Sequence, residues 1–145
     1  MPSCIGEFDV VTAIPSHHGR TAVGDLIAPI LGTRDLYLPL LEVTSTKRQR
    51  VLAAERFKVA PVAHGRKVLV IDDMFTTGAT LFSACAALRS AGAIVTKAIA
   101  IGRYVNPEWP ESAAMLEWLS KRPWQRDSCI VCGGGEHRTT DPTLL

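Results

Sequence analysis

The chain has 145 residues, of which 47% are hydrophobic and 21% charged, and its formal net charge is +2. This length supports one core without disulfide or metal staples, and the composition excludes a disordered or collagen-like chain. The small charge does not predict a membrane or nucleic-acid surface as partner, although nucleic acid stays an open alternative. No stretch reaches the roughly 18 apolar residues of a membrane span and no signal peptide is visible, so we expect a cytoplasmic protein.

The first half of the chain begins with a strand, a loop and a helix. Residues 9–14 form a β-branched run that Pro15 stops, and apolar residues recur at helical spacing over 21–31. Residues 36–41 are expected to form a short edge strand, because Pro39 lacks a backbone donor. Residues 45–57 contain good helix formers with basic residues at the N-terminal end, where the helix dipole disfavours cations, so either the segment starts as a mobile loop or an anion compensates them.

The second half predicts a strand, helix, strand unit. Residues 67–71 are almost purely aliphatic, as in a central strand covered on both faces. A turn, a helix over 79–90 closed by Gly92, and a strand over 93–101 follow. The pattern predicts an open, mainly parallel α/β sheet flanked by helices, with ligands at the carboxyl ends of its strands. A C-terminal helix is expected at about 108–121.

The segment VLVIDDMFTTGAT, residues 68–80, carries the strongest chemical signal. A glycine and small residues between a strand and a helix let several N–H groups converge on an anion, and the helix dipole adds positive potential. The two preceding carboxylates would repel a phosphate but accept hydrogen bonds from sugar hydroxyls. An aspartate pair that merely ends a strand is the alternative. The string matches neither the G-x-x-x-x-G-K-[ST] nor the G-x-G-x-x-G nucleotide loop.

Four hydrophobic residues, two acids and a Thr/Gly loop resemble the phosphoribosyl pyrophosphate motif of type I phosphoribosyltransferases. The resemblance implies that fold, with a core over about residues 8–104 inside a domain of residues 1–125. It implies that Asp72 and Asp73 bind the ribose hydroxyls and act in catalysis, and that Mg²⁺ is held mainly by the substrate. The substrate-binding residues it implies here are Asp72, Asp73, Met74, Phe75, Thr76, Thr77, Gly78, Ala79 and Thr80.

An early strand ending in Ala-Ile-Pro is similar to the ComF-like and amidophosphoribosyltransferase-related branch of this family. In that branch the loop after the first strand touches the pyrophosphate, and a basic segment precedes the motif strand. Arg20 and Arg56 are therefore candidate catalytic cations, with a solvated helix face as the alternative for the charges over 47–56. The other implied contacts are Ser16, His17, His18, Gly19, Lys47 and Arg48. For the two histidines, a surface pair in a turn is the competing interpretation.

The resemblance implies an enzyme that transfers the phosphoribosyl group to a nitrogenous acceptor and releases pyrophosphate. Purine-salvage members for hypoxanthine and guanine carry an acid where this chain has Thr76, which argues against those acceptors. The alternative is a non-catalytic phosphoribosyl pyrophosphate sensor or a ComF-like competence and DNA-uptake accessory protein. Because family members commonly dimerise, the resemblance also implies a homodimer.

The tail over residues 126–145 contains a separate candidate metal site. Cys129 and Cys132 have the spacing of half a zinc knuckle, and His137 is a candidate third ligand for Zn²⁺. A fourth ligand is needed, and Cys4 would serve only if the two termini meet. A redox pair is the alternative for this spacing.

Overall fold

The computed structural model describes residues 6–16, 23, 34–44 and 51–121. Its centre is a three-stranded parallel sheet of β1 (Val10–Ala13), β4 (Lys67–Phe75) and β5 (Ile94–Arg103), with β4 in the middle. Val10 pairs with Val68 and Ala13 with Ile71, and on the other side Ile71 pairs with Ile99. The expected α/β architecture with a parallel sheet is confirmed at this level.

The middle strand β4 is buried on both faces. Its residues from Val68 to Ile71 are at most 2% exposed. Val68 and Val70 pack against the helix α1 (Ala79–Ser90), which contributes Leu81 and Leu88 to the core. On the opposite face, Leu69 and Ile71 join Val11 in a second cluster. The aliphatic run therefore predicted a central strand correctly, because only a strand covered on both faces needs apolar residues at every position.

Helix α1 and strand β5 have almost the predicted bounds. Gly92 adopts a left-handed φ of 83° after the helix, and the backbone N–H of Ala93 bonds to the carbonyl of Leu88 at 3.0 Å. This left-handed glycine ends the helix as expected. On the other face of the sheet, Val23 is helical and packs against the second cluster. The remainder of the helix predicted over 21–31 lies outside the described residues.

The segment before β4 differs from the prediction. β2 (Leu41–Val43) pairs antiparallel with β3 (Phe57–Val59), and short 3₁₀ helices occupy Arg34–Leu36, Ala54–Arg56 and Pro61–Ala63. The expected strand over 36–41 is wrong for most of its length, because Tyr37 forms only an isolated parallel bridge with Val11 and the regular ladder of β2 starts at Leu41. At this point the N–H of Leu40 bonds instead to the Thr12 hydroxyl at 3.1 Å.

The helix expected over 45–57 is wrong in its described part, residues 51–57. Residues 51–53 are irregular, Ala54–Arg56 form a single 3₁₀ turn rather than an α-helix, and Phe57 begins the strand β3. The N–H of Thr44 donates to the carbonyl of Arg56 at 2.8 Å, and that of Ala53 donates to the Ser83 hydroxyl at 2.9 Å. These long-range bonds override a local helix propensity worth only tenths of a kcal/mol per residue.

The described residues divide into two compact units, one that ends at Tyr104 and a second that begins at Val105. The first unit contains the sheet and α1. The second contains the helix α2 (Pro110–Ser120), which begins with proline at its first position and has no buried residue. No helix in the described part of the chain combines the length and apolarity needed to cross a membrane.

Candidate functional site

The carboxyl ends of the three parallel strands lie along one edge of the sheet. The N–H of Ile14, just after β1, donates to the carbonyl of Ile71 at 2.9 Å, and the N–H of Tyr104, just after β5, donates to that of Phe75 at 2.9 Å. The segment after β1 therefore starts beside Ile71, and the segment after β5 starts beside Phe75, the residue from which the loop after β4 leaves. This edge is where open parallel sheets bind their ligands.

Strand β4 continues through the two aspartates to Phe75, whereas the sequence predicted that it ends at Ile71. The extension is paired, since Asp72 lies opposite Ala100 and Met74 opposite Gly102. A neighbouring strand of comparable length supplies these partners, and no local pattern announces them. The carboxylates therefore belong to a rigid strand, which positions side chains more accurately than a turn.

The two carboxylates have different environments. Asp72 is 7% exposed, whereas Asp73 is exposed, because successive strand residues point to opposite faces. The backbone N–H of Asp73 donates to Oδ1 of Asp72 at 3.0 Å. Burial first, and the neighbouring Asp73 carboxylate second, raise the pKa of Asp72 to about 6, while the hydrogen bond from the Asp73 N–H acts in the opposite direction. Ligand hydroxyls that donate to Asp72 would favour its charged form.

The loop after β4 joins directly to the N-terminus of α1. Thr76 and Thr77 are exposed, and Gly78 is the N-cap with a left-handed φ of 78°. No side chain caps the helix, so the N–H groups of its first turn lack the intrahelical acceptors that later residues have. The Ala79 N–H has only a long contact of 3.4 Å to the Thr77 hydroxyl. These donors and the helix dipole make the loop suited to an anion.

Gly78 is required here for two physical reasons. Its φ of 78° lies in the left-handed region that side chains disfavour. A Cβ at this position would also stand 2.6 Å from a ring carbon of Phe82 and 2.8 Å from one of Phe75. The two rings lie edge to face with their centroids 6.1 Å apart. The loop is therefore closed against an aromatic pair, and a methyl group here would require the rings to move.

Of the other predicted site residues, the structure describes Ser16 and Arg56. Ser16 is exposed and lies two residues beyond Ile14 at this edge. Arg56 is 4% exposed, with its guanidinium carbon 6.0 Å from the centre of the Phe57 ring. The alternative of a solvated helix face is thus wrong for Arg56, while its role toward a ligand stays a prediction. The remaining candidates, His17, His18, Gly19, Arg20, Lys47 and Arg48, lie outside the described residues.

Arg103 is a cation at the site that the sequence analysis did not select. It ends β5 opposite Phe75, and its guanidinium carbon lies 5.5 Å from the centre of the Phe75 ring. The side chain is exposed. It therefore adds positive charge beside the anion loop. Its position follows from the register of β4 and β5, and in the sequence it was only an arginine two residues beyond the strand predicted over 93–101.

The described part of the chain gathers no group of three or more His, Cys, Asp or Glu side chains suited to a metal. Mg²⁺ is commonly bound by one or two carboxylates together with substrate phosphates. The oxygens of Asp72 and Asp73 fit that donor chemistry. The zinc candidates Cys129, Cys132 and His137 lie outside the described residues.

A carboxylate pair beside an anion loop, at the carboxyl edge of a parallel sheet, is chemically suited to a sugar phosphate. No family model matches the chain. Over 56 residues it is 39% identical to the orotate phosphoribosyltransferase of Bacillus subtilis (strain 168). The match covers 39% of this chain and 26% of that relative, so the chain spans about a quarter of the relative's length. This partial similarity supports a relationship to phosphoribosyltransferases and does not bear on the ComF-like branch.

Proposed function

We propose that this chain is a phosphoribosyltransferase of type I fold that binds phosphoribosyl pyrophosphate with Mg²⁺ and transfers its phosphoribosyl group to a nitrogenous acceptor. The observation that carries the proposal is the continuity of Asp72, Asp73, the loop over 76–78 and the N-terminus of α1. Carboxylate acceptors and backbone N–H donors lie within one strand, loop, helix unit. Along the chain the carboxylates precede the anion loop, and in a ribose 5-phosphate the 2- and 3-hydroxyls likewise lie at the opposite end from the phosphate.

In this arrangement the loop binds the 5-phosphate through backbone N–H groups and the hydroxyls of Thr76, Thr77 and Thr80. Asp72 and Asp73 accept hydrogen bonds from the ribose 2- and 3-hydroxyls. Holding both ends of the ribose fixes its anomeric carbon relative to the protein, and positioning of this kind lowers the barrier without covalent catalysis. Met74 and Phe75 continue the strand between the two groups of contacts.

Charge neutralisation is the second requirement of the proposed reaction. The bond between the anomeric carbon and the pyrophosphate oxygen breaks, and the electron pair leaves with the pyrophosphate while the acceptor nitrogen forms the new bond. Mg²⁺, when bound, supplies positive charge to the pyrophosphate. Among the chain's own groups, Arg103 brings a guanidinium to the edge where the ligand lies, and Ser16 offers a hydroxyl.

The test is incubation of the full chain with phosphoribosyl pyrophosphate, Mg²⁺ and a panel of acceptors, with pyrophosphate release as the readout. The panel contains purine and pyrimidine bases, orotate and ammonia, because the partial relative is named for orotate. The double variant Asp72→Asn with Asp73→Asn is the control for the site. We expect release with at least one acceptor in the parent chain and none in the double variant.

Calorimetry with phosphoribosyl pyrophosphate separates binding from turnover. Binding that the double variant abolishes, without release on any acceptor, would favour the alternative of a non-catalytic sensor or ComF-like accessory protein. Unchanged affinity in the double variant would remove the basis of the proposed site.

A further inference from the structure

The two phenylalanines that contact Gly78 come from opposite sides of the anion loop. Phe75 is the last residue of β4, and Phe82 lies in the first turn of α1. Their rings form an edge-to-face pair with centroids 6.1 Å apart and an interplanar angle of 87°. We call this pair the aromatic clamp. It joins the element before the loop to the element after it, and Gly78 is the loop residue that both rings contact.

Phe82 is not explained by the hydrophobic core. The core residues of α1 include Leu81, Ala84 and Leu88, whereas Phe82 is 50% exposed. A half-exposed phenylalanine gains less from burial than a core residue does. Its defined contacts are with the loop and with Phe75. The backbone supports the same geometry, since the N–H of Phe82 donates to the carbonyl of Gly78 at 2.8 Å.

Gly78 differs in burial from the loop residues before it. Thr76 and Thr77 are exposed, yet Gly78 between them and the helix is buried. The rings of Phe75 and Phe82 bury Gly78, because ring carbons of both occupy the space where a Cβ would project. Arg103 lies over the Phe75 ring, with 5.5 Å between its guanidinium carbon and the ring centroid. The position of Phe75 is thus supported by the neighbouring strand as well.

We propose that Phe82 is a positioning residue that, through the aromatic clamp on Gly78, holds the N–H groups of the anion loop in their binding arrangement before ligand arrives. The inference rests on the proposed function, in that the loop binds a sugar phosphate. Ordering a loop in advance removes the entropy cost of ordering it during binding. Phe82 acts through Gly78 and touches no ligand atom, and its effect appears as affinity for the phosphate.

The experiment compares the full chain with Phe82→Ala, Phe82→Tyr and Ile94→Ala, with ribose 5-phosphate and inorganic phosphate as probes in calorimetry. Ile94 is 54% exposed and lies at the opposite end of the sheet, so it controls for loss of a half-exposed apolar side chain. We expect Phe82→Ala to weaken ribose 5-phosphate binding between about twofold and tenfold, the range for an aromatic pair contact. Phe82→Tyr keeps the ring, and it and Ile94→Ala should bind like the parent.

Amide hydrogen exchange in the ligand-free protein provides a readout that a general loss of stability would not reproduce. We expect faster exchange at Gly78, Ala79 and residue 82 in Phe82→Ala, with the strands of the sheet unchanged. A parent chain that binds ribose 5-phosphate while Phe82→Ala binds it equally well would overturn the inference alone. A parent chain that binds neither probe would overturn the proposed function and the inference with it.

Discussion

The buried carboxylate of Asp72, a proposed ligand-binding residue, lowers the stability of the folded protein when it is charged. The residue is almost fully buried beside a second carboxylate, and burial is the largest cause of its raised pKa of about 6. A buried charge without a cation costs free energy unless hydrogen bonds compensate it. The Asp73 N–H supplies one such bond. The ribose hydroxyls of the proposed ligand would supply others, so the ligand would relieve a strain that the free protein carries.

The replacement Asp72→Asn should therefore stabilise the protein in a pH-dependent way. A folded-state pKa raised from 3.8 to about 6 means that this group favours folding fully below pH 3.8 and loses that contribution as the pH rises through about 6. We expect a gain of about 1–3 kcal/mol near neutral pH, at about 1.4 kcal/mol for each pH unit by which a pKa moves. Urea unfolding at a series of pH values measures it.

The exposed neighbour supplies the control for this prediction. Asp73→Asn removes an exposed charge from the same pair and leaves the buried charge of Asp72 in place. Its gain in the free energy of unfolding near neutral pH should therefore be smaller than that of Asp72→Asn. The gain for Asp72→Asn should shrink as the pH falls toward 4. A constant gain at all pH values would show that charge burial is not its cause.

Gly78 allows the two costs of a side chain in the loop to be separated. Gly78→Ala should destabilise the protein by roughly 2–5 kcal/mol, since a left-handed alanine costs about 1–2 kcal/mol and an overpacked contact about 1–3 kcal/mol. Gly65→Ala is the matched control, with a φ of 73° and nothing within 4 Å of its Cβ position. Gly65→Ala should therefore lower the free energy of unfolding only by the cost of a left-handed backbone. Equal losses in urea unfolding of the two variants would contradict the contact with the aromatic clamp.

At the scale of elements, the site is one strand, loop, helix unit tied to the segment before β3. The Ser83 hydroxyl donates to the carbonyl of Ala79 at 2.5 Å and accepts the N–H of Ala53 at 2.9 Å. The first bond lies within α1, and the second joins α1 to the segment before β3. A buried hydroxyl with two backbone partners links elements that local sequence does not connect.

Ser83→Ala should lower the free energy of unfolding by about 1–3 kcal/mol, because it leaves the N–H of Ala53 without its acceptor in a buried setting. Ser90→Ala is the control in the same helix, where the serine is exposed and the change should stay within about 0.5 kcal/mol. Chemical denaturation of both variants makes the comparison. A loss at Ser83 no larger than that at Ser90 would show that water replaces the missing acceptor.

For the whole molecule, the proposed ligand should stabilise the fold by mass action. Phosphoribosyl pyrophosphate with Mg²⁺ at about 100 times its Kd would add about 2.7 kcal/mol if it binds only the folded state. For a domain of this size each kcal/mol raises Tm by roughly 2–4 °C. The shift should therefore be about 5–10 °C in a thermal melt. The double variant Asp72→Asn with Asp73→Asn should show much less, and equal shifts would argue against the carboxylate pair as part of the site.

The sequence alone determined the sheet centre, the helix after it and the loop between them. Val68 to Ile71 are apolar at every position, and glycines occupy the left-handed positions at both ends of α1, so each signal lies within the element that it predicts. The carboxylate pair and the Thr/Gly loop follow directly along the chain. Local patterns of this kind determine strand, turn and helix without long-range contacts.

Only the tertiary structure decided how these groups are arranged. The extension of β4 to Phe75 and the place of Arg103 beside it depend on the register between β4 and β5, and the burial of Asp72 but not Asp73 depends on which face of β4 is covered. Within residues 51–57, where a helix was predicted, a 3₁₀ turn leads into β3, because backbone bonds across the fold outweighed local propensity. Residues distant in sequence set these features, since strand pairing and burial are properties of contacts that no single segment encodes.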